Sequence, residues 1–77
     1  MQVKFYAFGN LRRYTPGMHE QLDLEVPEGS TVADLLERFG ITWGEVGVIA
    51  VNGKLSDETH RLQPGDKVES FSPIGGG

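Results

Sequence analysis

The 77-residue chain has no cysteine, which excludes disulfide staples, a thiolate nucleophile and cysteine metal sites. It is also short of positive charge. Seven Lys and Arg stand against eleven Asp and Glu, and no basic cluster exceeds Arg12-Arg13, so no nucleic-acid footprint is visible and a basic protein partner fits better. Long hydrophobic runs are missing as well. Met1-Gln2-Val3-Lys4-Phe5 is too short and mixed for a signal or membrane segment, which predicts a cytoplasmic protein with no membrane contact. Histidine is limited to His19 and His60, in separate polar loops without paired carboxylates. Both read as surface residues, and no metal site is expected.

What is present suffices for one small domain. Hydrophobic residues make up 38% of the chain, with one Trp, two Tyr and four Phe, more than a disordered chain carries. A chain of this size buries only about 60–65% of its unfolded surface, so the core must come from one sheet with a covering helix.

Residues 2–8 alternate, with Val3, Phe5 and Ala7 on one face and Lys4, Tyr6 and Phe8 on the other, which predicts a strand. Its second face is unusually apolar. Tyr6 and Phe8 are expected to be either partly covered by the fold or part of a partner surface. Gly9-Asn10 ends the strand and Thr15-Pro16-Gly17 marks a turn. Residues 20–26 alternate again, with Leu22, Leu24 and Val26 inward, giving a second strand antiparallel to the first.

Pro27-Glu28-Gly29 turns the chain into a helix, with Thr31 and Asp34 at capping-box spacing. Val32, Leu35, Leu36 and Phe39 form one buried stripe, and Gly40 stands where a left-handed cap ends a helix. Trp43 is expected partly buried over one end of the core. The nearly continuous apolar run 47–51 predicts a central strand covered on both faces. Asn52-Gly53 sets a hairpin into Lys54-Leu55. Residues 56–61 read as a turn or short helix, with Leu62 anchoring their far end. After the Pro64-Gly65-Asp66 turn, Val68 and Ser70 alternate with Lys67, Glu69 and Phe71 in a last strand. This order, one helix crossing a mixed sheet, predicts an α+β fold of β-grasp type over residues 1–72, with the first and last strands side by side and parallel.

Residues 73–77 form a separate tail, Pro73-Ile74-Gly75-Gly76-Gly77. Three glycines bury no side chain and lose the most backbone entropy on ordering, so a flexible tail is expected. A glycine thread is also narrow enough for a tunnel that any Cβ would block. Its end would carry the Gly77 carboxylate into a site on another protein. With no cysteine in the chain, sulfur chemistry would have to use that carboxylate. Pro73 biases Ser72 towards extended structure and aims the tail outwards.

Taken together, Val3-Lys4-Phe5-Tyr6-Ala7, the segment from Pro27 to Val32 with its helix, Val51-Asn52-Gly53-Lys54, Pro64-Gly65-Asp66-Lys67-Val68 and the Pro73 to Gly77 ending resemble one family across the whole chain. They resemble the ubiquitin-like sulfur carriers of the MoaD/ThiS type. The resemblance implies a carrier that is not itself an enzyme and binds no cofactor. Gly77 would be adenylated with ATP by a ubiquitin-activating-like adenylyltransferase, then converted by a sulfur donor to a thiocarboxylate. Gly75 and Gly76 would form the threaded tail. Phe71, Ile74, Tyr6 and Leu55 would meet the partners, namely the adenylyltransferase and the molybdopterin synthase large subunit or another sulfur acceptor.

The approach Phe71-Ser72-Pro73-Ile74 resembles the molybdopterin type, serving molybdenum or tungsten cofactor synthesis, more than the thiamin type. The sequence departs from the family at Gly9-Asn10, which lengthens the first connection, at Arg13, where glutamate is frequent, and at the extra Gly75. Two other readings stand beside the carrier: a ubiquitin-like modifier joined to lysines, which shares the tail chemistry, and a non-catalytic TGS-like binding module, which needs no free Gly77. Asp57 and Glu58 read as a solvated turn. The glycines of the tail are no phosphate loop, because no helix follows them.

Overall fold

The computed structural model describes residues 1–14 and 21–73. The Thr15-Pro16-Gly17 turn, His19 and residues 74–77 lie outside them. Five strands, β1 (Gln2–Phe8), β2 (Gln21–Glu25), β3 (Val48–Val51), β4 (Lys54–Ser56) and β5 (Lys67–Phe71), form one sheet in the order β2-β1-β5-β3-β4. Only β1 and β5 pair in parallel, at the centre of the sheet; the other three pairings are antiparallel. One helix, α1 (Val32–Arg38), covers one face, giving the expected β-grasp.

Alternation decides which residues fill the single core. Val3, Phe5 and Ala7 of β1, Ile49 and Val51 of β3 and Val68 of β5 all point to the helix side and are buried. Val32, Leu35 and Leu36 meet them from α1, and Phe39, just past the helix, stacks on Phe5 with ring centroids 5.0 Å apart. Leu11, Val26, Ile41 and Leu62 close the margins.

The helix is only two turns long, so its ends carry much of its definition. Thr31 Oγ1 accepts from the Asp34 amide while the Asp34 carboxylate accepts from the Thr31 amide, the reciprocal box that the spacing implied. At the other end the Gly40 and Ile41 amides donate to the Glu37 and Leu36 carbonyls, closing a Schellman cap. Asn52 and Gly53 both take positive φ, 54° and 82°, as the two-residue hairpin between β3 and β4 demands.

Two buried polar residues belong to this scaffold. Ser70 is fully buried, and its hydroxyl donates to the Tyr6 carbonyl at 3.0 Å, tying β5 to β1. Asp66 is a junction. Its carboxylate accepts from Asn52 Nδ2 and from the Gln63 amide, each at 2.8 Å, while Asn52 Oδ1 accepts from the Lys67 amide. The hairpin after β3 is thereby fastened to the start of β5.

Two expectations need correction. The run 47–51 is covered on one face only, because a single helix supplies a single second layer: Val48 stays 43% exposed and Ala50 half-buried. Trp43 is 41% exposed rather than tucked over the core, since the short 3-10 turn Trp43–Glu45 is held by its polar groups. There Glu45 accepts from the Thr42 amide and hydroxyl and from the Tyr14 hydroxyl. Leu22 and Leu24 face inward as expected, opposite Phe5 and Val3, and are half-buried because β2 is an edge strand. His60 keeps 38% of its side chain exposed, as a surface position would, with Nε2 turned to within 3.6 Å of the Asp66 carboxylate. Residues 56–61 form a turn in which the Asp57 carboxylate accepts from the Thr59 hydroxyl and amide, holding it below the usual carboxylate range.

Candidate functional site

Among the described residues no second layer covers the face of the sheet away from α1, and its side chains are set by register. In the parallel β1–β5 pairing Tyr6 lies opposite Glu69 and Phe8 opposite Phe71, and in the antiparallel β3–β5 pairing Val48 lies opposite Phe71 and Ala50 opposite Glu69. Two rows result. One runs Tyr6, Glu69, Ala50, Leu55; the other runs Phe8, Phe71, Val48, beside the point where the chain leaves β5.

The rings of the first three strand positions stack. Phe8 and Phe71 lie 4.8 Å apart at 9°, and Tyr6 and Phe8 lie 6.1 Å apart at 4°. Such contacts are each worth about 0.5–1.5 kcal/mol beyond area burial, enough to hold the rings as a flat platform without hiding them. All three remain half-buried. Tyr6 is further fixed by its hydroxyl, which donates to Gln21 Oε1 at 2.8 Å, and by Lys67, whose Nζ stands 5.5 Å from the ring centroid. Lys4, Lys67, Asp23 and Glu25 occupy the far end of the same face, so the surface grades from mixed charge to aromatic towards Phe71.

At the root of the tail, Gly47, Val48, Phe71, Ser72 and Pro73 line a shallow, mostly apolar cleft. The Gly47 amide donates to the Phe71 carbonyl at 2.7 Å, carrying the β3–β5 pairing one residue further. The exposed apolar side chains of this face can dock an apolar partner surface.

The structure brings together Tyr6 and Phe71, two of the partner-binding residues the resemblance implied, but through Phe8. Leu55 does not join them. It is 82% exposed on the edge strand β4, at the opposite end of the Tyr6 row, with Glu69 and Ala50 between. Ile74, Gly75, Gly76 and Gly77 lie outside the described residues. Val48 belongs to the surface and is absent from the sequence-based reading, whereas Phe8 was read there only as covered by the fold or part of a partner surface. Phe8 was legible, two residues beyond Tyr6 on one strand face; Val48 was hidden by the assumption that its strand is covered twice. Among the described residues no group of three His, Asp or Glu is placed to hold a metal ion. No helix there is long and apolar enough to cross a membrane.

A five-stranded mixed sheet with one crossing helix, and a tail issuing from its central parallel strand, define a ubiquitin-like β-grasp protein. Solved structures agree. SAMP1 from Haloferax volcanii superposes with a TM-score of 0.77 over all of both chains at 17% identity, which is a likeness of fold. Molybdopterin converting factor subunit 1 from Pyrococcus furiosus is 30% identical, with a TM-score of 0.73 over 94% of this chain and 97% of that one. Subunit 1 in a complex of subunits 1 and 2 of the molybdopterin-converting factor from Helicobacter pylori is 24% identical, with a TM-score of 0.64 over the full length of both. No curated protein sequence matches. The family model of the ThiS family matches residues 6–77, and the chain belongs to that family.

Proposed function

We propose that this chain is a sulfur carrier whose Gly77 carboxylate is adenylated and then converted to a thiocarboxylate, and that it serves molybdopterin synthesis. The observation that carries the reading is the aromatic platform of Tyr6, Phe8 and Phe71 at the root of a tail that the family match follows through to residue 77. A carboxylate is a poor electrophile, because resonance and charge both resist attack. Joining it to AMP, with loss of pyrophosphate, creates a mixed anhydride; a sulfur donor then displaces AMP and leaves the thiocarboxylate. The protein's part is to bind and to deliver. The platform docks on an activating enzyme or on an acceptor, and the narrow tail carries Gly77 to the chemistry.

The similarity to molybdopterin converting factor subunit 1 at 30% identity favours that pathway over thiamin synthesis. The subunit complex from Helicobacter pylori supports a larger second subunit as acceptor. In this reading the chain is the non-catalytic subunit, and ATP and the sulfur donor are bound by the activating enzyme. The modifier reading uses the same adenylate with a lysine amine in place of sulfur. Removal of Gly77 tests the reading: sulfur uptake disappears while the unfolding midpoint stays that of the parent chain. Uptake that persists without Gly77 refutes it.

A further inference from the structure

Two glycines flank the place where the chain leaves β5. An added Cβ at Gly47 would lie 2.8 Å from Pro73 Cα, 2.9 Å from Pro73 N and 3.1 Å from the Ser72 carbonyl carbon. Those are backbone atoms, so no rotamer change relieves the clash. On the other side Gly9 takes φ +64°, which itself favours glycine, and a Cβ there would lie 2.3 Å from the Ser72 side-chain oxygen, so that side chain and not the backbone would have to shift. Gly29, Gly40, Gly44, Gly53 and Gly65 are different: a Cβ at any of them meets nothing within 4 Å. The need for bare backbone at close range is thus concentrated at the tail root. The Gly47 amide adds a hydrogen bond to the Phe71 carbonyl, so one side of this bracket is also bonded to the strand end.

We infer that Gly9 and Gly47 are positioning residues that fix the exit path of the chain at Ser72 and Pro73. They thereby set the point from which the tail must reach when the aromatic platform docks. The inference rests on the carrier reading for its catalytic consequence, but the bracket itself does not. Residues 74–77 can reach at most about 14 Å beyond Pro73, so a displaced root changes the span that must be covered to bring Gly77 to a fixed site. Pro73 cannot absorb the change, because its ring fixes φ. A misplacement of about 1 Å at a reacting group can cost about a hundredfold in rate. Neither glycine touches the reacting atoms, so the effect should fall on turnover and not on docking.

The test uses the full chain carrying Gly47→Ala, with Gly44→Ala as the control for glycine loss in the same segment. By NMR, without any enzyme, Gly47→Ala should shift the Phe71 and Ser72 amide resonances and speed hydrogen exchange at residue 47, while Val3 and Val68 stay as in the parent. Unmoved Ser72 resonances overturn the bracket. With an activating enzyme that adenylates the parent chain, kcat should fall about a hundredfold with KM close to the parent's. Gly47→Ala/Pro73→Gly, which frees the root, should recover part of the loss. Parental kcat, or a change in KM alone, overturns the positioning role. Should Gly47→Ala fail to fold, Pro73→Gly alone loosens the same path and should lower kcat at unchanged KM; parental kcat in that variant counts against the inference. A parent chain inert to activating enzymes overturns the carrier reading instead, and the resonance shifts still decide the bracket.

Discussion

Phe71→Ala separates docking from folding. The ring sits on the outer face, half-buried, stacked on Phe8 at 4.8 Å and aligned with Val48 across β3, and it takes no part in the core beneath α1. Its removal therefore deletes one aromatic pair and some partial burial, a loss of about 1–2 kcal/mol of folding stability. Docking is another matter, because a partner that covers the platform completes the burial of all three rings. An aromatic anchor at the centre of such a patch is worth at least about 2 kcal/mol, or roughly thirtyfold in Kd. Isothermal titration of the variant against the activating enzyme, with urea unfolding in parallel, measures both quantities. An unchanged Kd would remove Phe71 from the docking surface. A stability loss of about 3–5 kcal/mol would instead place its ring in the core.

Two further substitutions probe the scaffold. Leu36 is 2% exposed within the α1 stripe, so Leu36→Ala should cost about 2–5 kcal/mol in urea unfolding, and a loss under about 0.5 kcal/mol would mean the helix face is misassigned. Asp66→Ala deprives the Gln63 amide and Asn52 Nδ2 of their acceptor in a buried setting and should cost about 2–4 kcal/mol; a stability within about 0.5 kcal/mol of the parent would show that the junction holds nothing.

The fold was legible where local chemistry and the global arrangement agree. Thr31 with Asp34, the stripe from Val32 to Phe39, the Asn52-Gly53 turn and the alternation of β1 and β5 each have one physical solution, and together they order the elements. Legibility failed where the answer depends on how many layers surround the sheet. The run 47–51 is apolar whether one face or two are covered, so Val48 was placed inside although only α1 exists to cover it. Trp43 failed for a related reason: its size argues for burial, but Glu45 and Tyr14 hold the turn that carries it. The site was half legible. Tyr6 and Phe71 are visible as apolar positions on the outer face, yet their meeting through Phe8 requires the parallel register of β1 and β5. Leu55 is equally apolar and lies apart, three strands from Tyr6. Gly9 was read only as the end of a strand and Gly47 only as the start of an apolar run, because what sets them apart is the nearness of Ser72 and Pro73, far along the chain.

The central claim is that Gly77 receives sulfur. Intact-mass spectrometry after incubation with an activating enzyme, ATP and a sulfur donor reads it directly, since exchange of one oxygen for sulfur raises the mass by the difference between those atoms. Oxidation of Met1 or Met18 adds nearly the same mass, so fragmentation must locate the gain. The account predicts a gain confined to Gly77 and absent when Gly77 is deleted. A gain found only on methionine, or no gain with an enzyme that forms the adenylate, would contradict it.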